Sequence, residues 1–459
     1  MKNRKSIFSP LLFAFLFMGC TQPYPDGIHQ ESNLDMNESG TQSISEQARE
    51  RRDEVVCITE PNDVLVLGQT LALTLMHNPE LKVFSLETRA AQARRLQAGL
   101  WPNSEIDIEV ENVGGTGELS GFDGAETTIQ LSQLIELGGK SQKRKKVASF
   151  GEELADLDYQ AKRLAIFSEA AGAFIEVLEA QEKCRLSDEL LKLSEESFAV
   201  VQKRVTAGKD SPVEKSRASV ALANTKMSHR QTRRNLEYTR RKLASFWGQS
   251  EPLFRHAAGH LDKVEPLSTL DNLTNQLKLN PEYLRADTEI SKSRAILELE
   301  KAKAVGDITM GAGVRRFEET DDNAFVFGVS IPLGISDKNQ GAKQEAIYNL
   351  AKSREAKKAT WLKLKNEFDQ AHQEFSNSYS QATSLKNEIL PAAIEMFDAA
   401  TKAYQAGKVD YLNVLDAQRT LFDVKNQYIE RLAAYHTART DIERFIGDQT
   451  QINILESEK

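Results

Sequence analysis

Few residues of this chain have types and spacings that could do chemistry, and Cys20 is the first of them. Basic residues in the first five positions precede the apolar run 11–18, which is too short to span a bilayer as a helix. Small Gly19 stands directly before Cys20, which resembles a lipoprotein cleavage box. The pattern predicts a lipoprotein-type signal peptide over residues 1–20 and a lipid on Cys20, sorted to the outer membrane because Thr21 rather than Asp follows. The alternative is an ordinary cleaved signal in which this cysteine is incidental.

Other reactive side chains are sparse. Cys57 and Cys184 form no disulfide framework, although their pairing stays open. His256 and His260 have a spacing that could bind a metal on a helix, but no Glu stands between them, and we interpret them as surface histidines. The glycine-rich segment 114–117 lacks the Lys and Ser/Thr of a phosphate loop. No nucleophile–base pair or paired acid is evident, so the sequence predicts no enzyme, no metal site and no cofactor.

The overall charge excludes one class of partner. The chain has 459 residues, with 59 Lys and Arg against 67 Asp and Glu, for a net charge of −8. Nucleic-acid binders carry a basic stripe, so this balance argues against DNA or RNA.

The chain contains one long pattern twice. Asn-Pro-Glu at 78–80 recurs at 280–282, Ala-Gly-Lys at 207–209 recurs at 406–408, and Phe-Trp-Gly at 246–248 recurs as Phe-Ile-Gly at 445–447. Three anchors in one order, each about 200 residues apart, indicate an internal duplication rather than a solenoid of short repeats. The predicted organisation after the signal peptide is a polar tether over 21–65, repeat 1 over 66–250, repeat 2 over 265–447 and a tail over 448–459.

Each repeat contains two predicted strands with one apolar face. Apolar and polar residues alternate over 105–113 and 127–135, and again over 307–315 and 324–332. Each strand approaches the length that a tilted strand needs to cross a bilayer. The alternative is a soluble sheet packed on a helix. Basic residues between 140 and 146 follow the second strand and either meet lipid headgroups or form a solvated helix start.

Very long helices follow each strand pair. Residues 141–205 contain no proline and carry apolar positions every seven residues in two rows, the pattern of a coiled coil. A similar helix is predicted over 340–404, with a kink at Pro391. Return helices over 213–246 and 411–445 complete an antiparallel coiled coil in each repeat. A helix of 65 residues extends roughly 100 Å, far beyond an ordinary globular domain.

Four strands cannot close a barrel, and open sheet edges are not tolerated in lipid. Several chains must therefore share one barrel. Two chains would give eight strands, whose interior is filled by side chains, whereas three give twelve and leave a conducting lumen. Long coiled coils attached to such a barrel would form a tube across the periplasm, and a tube without a catalytic centre is a conduit.

Several motifs resemble the TolC-like outer-membrane factor family, in its heavy-metal-efflux, CzcC-like branch. The resemblance covers nearly all of residues 66–447. Its motifs are NPEL at 78–81, QAGLWPN at 97–103, EVEN at 109–112, QLIELGGK at 133–140 and GKVDYLNVLDAQR at 407–419.

This resemblance implies a mainly α protein with a small membrane β part, assembled as a homotrimer. Each chain contributes four strands to a twelve-stranded β-barrel and long antiparallel helices to a twelve-helix periplasmic tunnel. The implied function is the outer-membrane channel of a tripartite, proton-driven efflux system, a passive duct for heavy-metal cations. The implied partners are a periplasmic adaptor, an inner-membrane pump of the resistance-nodulation-division class and outer-membrane lipid.

The resemblance also assigns candidate site residues. The helical tips, 204–211 and 404–411, would dock on the adaptor. Acidic side chains ring the pore of TolC-like members where it narrows; Asp416 matches one such position, and Asn413 matches another without the charge. The alternative for Asp416 is a solvated coiled-coil charge. The adaptor-contact candidates are Arg204, Gly208, Lys209, Gly407 and Lys408.

Other functions stay open at this point. Within the same class of duct, the cargo could be drugs or proteins secreted by a type I system, because the inner-membrane pump normally selects it. A periplasmic coiled-coil adaptor would contain one central helical hairpin, not two copies with strand pairs. An enzyme on a helical scaffold would need a buried polar cluster, and none is apparent.

Overall fold

The structure is a computed structural model that describes residues 59–266 and 270–447. Several predictions concern residues outside these ranges and keep the status of sequence predictions. They are the signal peptide over 1–20, the lipid on Cys20, most of the tether, the pairing of Cys57 and the tail over 448–459.

The last residues of the predicted tether are held against the folded chain. The carboxylate of Glu60 accepts hydrogen bonds from Trp247 Nε1 at 2.9 Å and from the backbone N–H of Leu253 at 2.6 Å. Leu65 is fully buried, and the short strand β1 (Val64–Leu65) pairs in parallel with β4 (His256–Ala257). Residues 60–65, at the end of the predicted tether, therefore contact the rest of the folded chain.

Helices make up most of the described residues. The long helix of repeat 1 has 67 residues and matches the predicted span, as do the return helices. Buried positions on this 67-residue helix follow the predicted seven-residue rows and include Leu157, Leu164 and Leu178. The helices are α1 (Leu67–His77), α2 (Pro79–Ala98), α3 (Lys140–Thr206), α4 (Pro212–Ala244), α5 (Leu270–Gln276), α6 (Pro281–Lys303), α7 (Gln340–Ser384), α8 (Leu390–Gln405) and α9 (Tyr411–Ile446).

The second long helix is interrupted just before Pro391. A π-helical segment, Leu385–Ile389, separates α7 from α8, and the backbone N–H of Leu390 donates to Leu385 O. Proline has no backbone N–H and crowds the preceding turn, so the α-helical ladder cannot continue unchanged through it. The wider π turn accommodates the hydrogen bond that proline cannot make. The helix predicted over 340–404, with its kink at Pro391, is therefore two consecutive α-helices, α7 and α8, joined by this π turn.

The four predicted strands form one antiparallel sheet, in the order β2-β3-β5-β6. The two hairpins, one from each repeat, join through β3 and β5, with Ile129 opposite Val314. Strands β2 and β6 are the edges of this sheet. The bounds are β2 (Glu105–Glu111), β3 (Glu126–Ile135), β5 (Ile308–Phe317) and β6 (Asp322–Ser330).

The repeated Asn-Pro-Glu and Phe-x-Gly motifs meet in space. The side chain of Asn280 accepts from the backbone N–H of Glu282 at 2.9 Å and so caps α6, while its Nδ2 donates to Phe445 O at 3.0 Å near the end of α9. Asn78 makes the equivalent bonds to Leu81 N and Phe246 O. Each asparagine amide thus joins the start of one helix to the end of another.

We expect Asn280→Ala to destabilise this junction by about 1–2 kcal/mol, because a cap and a buried hydrogen bond are lost together. Asn280→Asp keeps the capping oxygen and removes only the donor to Phe445 O. Amide hydrogen exchange at the end of α9 and the start of α6 measures both variants. An Asp variant as protected as the native chain would show that the bond to Phe445 contributes nothing.

The segment between the repeats is pinned across α3 and α9. Gln181 on α3 bonds both the N–H and the C=O of Ala257, at 2.8 and 2.9 Å. On α9, the Tyr435 hydroxyl bonds the backbone of Glu265, and His436 Nε2 lies 3.0 Å from Leu261 O. The imidazole is buried, and this burial lowers the pKa of His436 to about 4.

Acidification should loosen this segment. An exposed histidine has a pKa near 6.5, so between about pH 6.5 and pH 4 the unfolded chain binds a proton that folded His436 does not. Stability is therefore lost as pH falls through this window, by up to about 3 kcal/mol. Hydrogen exchange of residues 256–265 as a function of pH checks this against His436→Gln, which does not titrate. Equal pH dependence in both proteins would contradict the prediction.

The coiled-coil helices near the tips lie side by side in the order α4, α3, α9, α7/α8. Within the described ranges, α4 packs along α3, α3 packs on α9, and α9 packs on both α7 and α8. Helices α4 and α7/α8 are therefore the two lateral edges of this layer. No helix among residues 59–266 and 270–447 is long and apolar enough to cross a membrane.

Candidate functional site

The two faces of the sheet differ sharply in polarity. One face carries most of the apolar residues of the four strands, and its side chains are uncovered: Phe325 is 81% exposed, Phe327 79% and Ile106 71%. A water-soluble sheet would bury such a face against a helix, and none of the described helices covers it. The structure therefore disfavours the soluble alternative, because this face needs an apolar environment.

The opposite face is polar, and four acidic residues of β2 share it: Glu105, Asp107, Glu109 and Glu111. Asp107 accepts a hydrogen bond from Ser132 Oγ at 2.8 Å. Arg315 on β5 pairs with Glu126 at 2.9 Å and with Glu111 at 3.1 Å. The alternation was visible in the sequence, but a row of four acids on the polar face of the sheet was not among the predicted sites.

Two of the basic residues after β3, Lys140 and Arg144, form ion pairs within the chain. Lys140 Nζ pairs with Asp307 at 2.8 Å, and Arg144 pairs with Glu136. Asp307 also accepts from the backbone N–H of Leu137 at 2.9 Å. These bonds attach the start of α3 to the start of β5, so Lys140 and Arg144 stabilise the junction between sheet and helices.

The two helical tips have the same backbone geometry. Gly208 and Gly407 have φ of +74° and +72°. Lys209 N donates to Arg204 O, and Lys408 N donates to Ala403 O, each at 2.9 Å. This is the Schellman arrangement that ends a helix with a left-handed residue. Gly208, Lys209, Gly407 and Lys408 are exposed, whereas the Arg204 side chain is largely turned inward.

An ion pair and a tyrosine join the two tips. Arg204 makes two bonds to the Asp210 carboxylate, at 2.9 and 3.1 Å, and the Tyr404 hydroxyl of repeat 2 donates to the same carboxylate at 2.6 Å. The bonds from Arg204 hold the pKa of Asp210 below its usual range, and burial raises the pKa of Tyr404. We call these three residues the tip latch. Below it, Val201, Tyr411 and Val414 form a buried apolar cluster.

Gly407→Val should cost roughly 1 kcal/mol or more, because a β-branched residue is disfavoured at a φ of +72°. A Cβ at this position would meet no atom within 4 Å, so the cost arises from the backbone alone. Gly407→Asn, which tolerates the left-handed region, is the matched control. Faster hydrogen exchange over residues 404–411 in the Val variant alone is expected, and equal exchange in both variants would contradict it.

The pore candidates Asn413 and Asp416 lie on α9 just beyond its tip. Both are exposed and three residues apart, so they share a helix face, whereas Tyr411 before them and Val414 between them are buried. One chain supplies one copy of each. In the structure both side chains face solvent. They would reach a pore axis only if several copies of the chain assemble around that axis.

The two histidines do not lie on a helix. His256 is in β4 and His260 in the following loop, and both line a cavity of about 450 Å³ between α3, α9 and the inter-repeat segment. Within 59–266 and 270–447, no group of three or more His, Cys, Asp or Glu side chains could hold a metal ion.

The sequence prediction did not name Asp210 as a site residue. Its position next to Lys209, in the predicted tip turn, was the feature that could have indicated it.

Comparison with known families gives one match along most of the chain. A family model described as "Outer membrane efflux protein" matches residues 70–249 and 273–448. The two matched segments correspond to the two predicted repeats.

Individual relatives extend this match. The cobalt-zinc-cadmium resistance protein CzcC of Cupriavidus metallidurans is 32% identical over 383 residues, 83% of this chain and 90% of that protein. The nickel and cobalt resistance protein CnrC of the same organism is 26% identical, over 62% of this chain and 66% of its own length. A crystal structure of CusC superposes with a TM-score of 0.72 at 16% identity, over 83% of this chain and 91% of that one.

Proposed function

The chain belongs to the outer membrane efflux protein family, and we propose that it exports heavy-metal cations as the duct of a tripartite system. Its membership makes it an outer-membrane efflux channel with a helical periplasmic extension, a transport protein rather than an enzyme. The fold agrees, because a sheet with one uncovered apolar face is joined to long coiled coils. The predicted fold class and outer-membrane location are confirmed at this level.

The polar face of the sheet carries the proposal of a cationic cargo. Glu105, Asp107, Glu109 and Glu111 project from this face of β2, opposite the apolar face suited to lipid. An acidic lining raises the local concentration of cations and repels anions. The relative at 32% identity is named for resistance to cobalt, zinc and cadmium, which supports the same class of cargo.

A homotrimer is the assembly that we propose. The sheet ends in two unpaired edge strands, β2 and β6, and the tip-proximal helix layer ends in two edge helices. Exposed backbone groups cannot be left unpaired in lipid, so β6 of one copy must pair with β2 of another until the barrel closes. Three copies supply twelve strands, enough to leave a lumen.

A periplasmic adaptor and an inner-membrane pump are the further partners in this proposal. The exposed tip turns with Lys209 and Lys408 are the surface that would meet the adaptor. Arg204, a contact candidate from the sequence, serves the tip latch instead, so we assign it an indirect role through the shape of the turn.

Cation export is tested by metal tolerance together with conductance. Expression with its cognate pump and adaptor should restore growth on cobalt, zinc or cadmium to a host that lacks this system. In bilayers, Glu105→Gln/Glu109→Gln should lower cation selectivity without abolishing conductance. A channel that restores drug resistance or protein secretion, but not metal tolerance, would assign the cargo to those alternatives instead. Recovery as a soluble monomer would contradict the channel itself.

A further inference from the structure

The polar face of the sheet carries one basic residue, Arg315, among several acids. The cross-strand register places six acidic residues on this side: Glu105, Asp107, Glu109, Glu111, Glu126 and Asp322. Within the four strands that the structure describes, Arg315 is the one Lys or Arg on the same side. Gly311 and Gly313 precede it on this side of β5, so Arg315 is the residue of that strand that reaches across to the acids.

The Arg315 guanidinium links β5 to both strands of the other hairpin. On β3, its Nε donates to Thr128 Oγ1 and its Nη1 to Glu126 Oε2, each at 2.9 Å. On β2, Glu111 Oε2 lies 3.1 Å from its Nη2. Glu111 and Glu126 are direct cross-strand partners. Like charges opposite each other on a sheet repel, so Arg315 holds together two carboxylates that would otherwise push apart.

This ion cluster lies at the end of the sheet that is far from the long helices. Glu111 ends β2 and Glu126 begins β3, on either side of the hairpin loop 112–125. Helices α2 and α3 join the opposite ends of the same strands. Because the helices extend into the periplasm, the cluster is at the extracellular end of the polar face.

The rest of the acidic row of β2 is not neutralised in this way. Asp107 accepts from the neutral hydroxyl of Ser132 at 2.8 Å. Glu105 and Glu109 are exposed, and within residues 59–266 and 270–447 neither of them makes an ion pair. Negative charge is therefore uncompensated from the periplasmic end of β2 as far as Glu109, and compensated where the row ends at Glu111.

We propose that Arg315 is a specificity-determining residue of the lumen, which lets exported metal cations leave at the extracellular end. A conduction pathway must bind cations strongly enough to admit them and weakly enough to release them. Facing carboxylates are good ligands for divalent metal ions, so Glu111 and Glu126 without Arg315 would retain the cargo at the exit. The inference rests on the proposed cation export and adds how the cation is released.

Closure of the proposed barrel would bring no second base to this place. The strand that would pair with β2 is β6 of another copy, and its polar side carries Asp322, Ala324, Val326, Gly328 and Ser330. None of these residues can neutralise Glu111. Among the strands described, the charge at the exit is therefore set by Arg315.

Zinc block of single channels tests this role. Zn²⁺ added at the extracellular side of a planar bilayer should half-block Arg315→Gln at a concentration about tenfold or more below that for the native channel. Arg316→Gln is the matched control, because it removes the same charge from the next residue, which lies on the apolar face and pairs with Glu318 at 2.9 Å. Its blocking concentration should equal the native value.

A second substitution distinguishes a freed carboxylate from a damaged sheet. Arg315→Gln/Glu126→Gln removes one of the two facing charges and should return the blocking concentration to near the native value. Arg315→Lys keeps the charge without the planar fork that reaches both carboxylates, so it should lower the blocking concentration by a smaller factor. Should Arg315→Gln fail to assemble, native block in Arg315→Lys would overturn the proposal, as would unchanged block in an assembled Arg315→Gln.

Reversal potentials separate this inference from the proposed function. A native lumen without cation selectivity would contradict cation export itself. A cation-selective native lumen in which Arg315→Gln and Arg316→Gln are blocked alike would leave export intact and overturn the role of Arg315.

Discussion

The Asp210→Ala variant is expected to conduct several-fold more than the native channel in planar bilayers. Asp210 accepts two hydrogen bonds from Arg204 and one from Tyr404, so this carboxylate links the turn of repeat 1 to the helix of repeat 2. Hydrogen bonds to charged groups contribute about 1.5–3 kcal/mol each. Without them, the tip of the α8–α9 hairpin is less restrained against the tip of the α3–α4 hairpin, although α3 still packs on α9 further from the tips, and a constriction formed by the tips widens.

Two control variants separate the latch from a general effect. Tyr404→Phe removes one hydrogen bond and keeps the ring under the Arg204 guanidinium, so its increase in conductance should be smaller. Lys209→Ala, next to Asp210 but exposed, should leave conductance unchanged. If Asp210→Ala leaves both the conductance and the hydrogen exchange at the tips unaltered, the latch does not restrain the tips.

The pH dependence of the latch follows from the same carboxylate. Since Arg204 holds the pKa of Asp210 below its ordinary value near 3.9, the latch is fully formed above that value and is lost only as pH falls through the lower, folded value. The conductance of the channel should therefore be constant from pH 5 to pH 8, because Asp210 stays ionised and the tip latch stays formed over this range.

Asp416→Ala should raise the concentration of a trivalent cation that half-blocks the channel by about tenfold or more. Asp416 is exposed near the tip of α9, and the hypothesis places its three copies, one from each chain of the proposed trimer, around one axis. Like charges held close together bind a multivalent cation strongly because the cation relieves their repulsion. Cation selectivity should fall in the same variant.

Asn413→Asp is the converse experiment. It adds a second carboxylate on the same helix face, so the blocking concentration should decrease. Titration of the trivalent cation from the periplasmic side of single channels measures both variants, and Asp423→Ala, further up α9, is a control for charge alone. If neither Asp416→Ala nor Asn413→Asp moves the blocking concentration, Asp416 is a solvated coiled-coil charge and the narrowest point lies elsewhere.

The periodic elements could be predicted because their residues repeat a local rule. The seven-residue rows of α3 and the alternation in β2, β3, β5 and β6 predicted helix and strand to within a few residues. The duplicated Asn-Pro-Glu and Phe-x-Gly motifs predicted two repeats, but not that Asn78 and Asn280 bond the Phe carbonyls about 165 residues away. Such pairings depend on the packing of four helix ends, which no local pattern encodes.

The candidate site divides in the same way. Gly208 and Gly407 were predictable, because a glycine after a long helix is needed wherever the chain turns through a positive φ. The role of Arg204 could not be predicted, because the same local sequence is compatible with an exposed Arg204 at the tip and with an Arg204 that pairs inward with Asp210. Only the close approach of Tyr404 from the other repeat makes Asp210 a shared acceptor.

By itself, the sequence determined the element types, the two-fold repeat, the apolar strand faces and the turn glycines, because each follows from the chemistry of near neighbours along the chain. The tertiary structure decided which faces stay uncovered, how β2 gathers four acids on one side, and which helices become the lateral edges α4 and α7/α8. These are properties of residues brought together from both repeats. Their physical origin is packing between distant segments, which sets the surface that remains for lipid, cations and further copies of the chain.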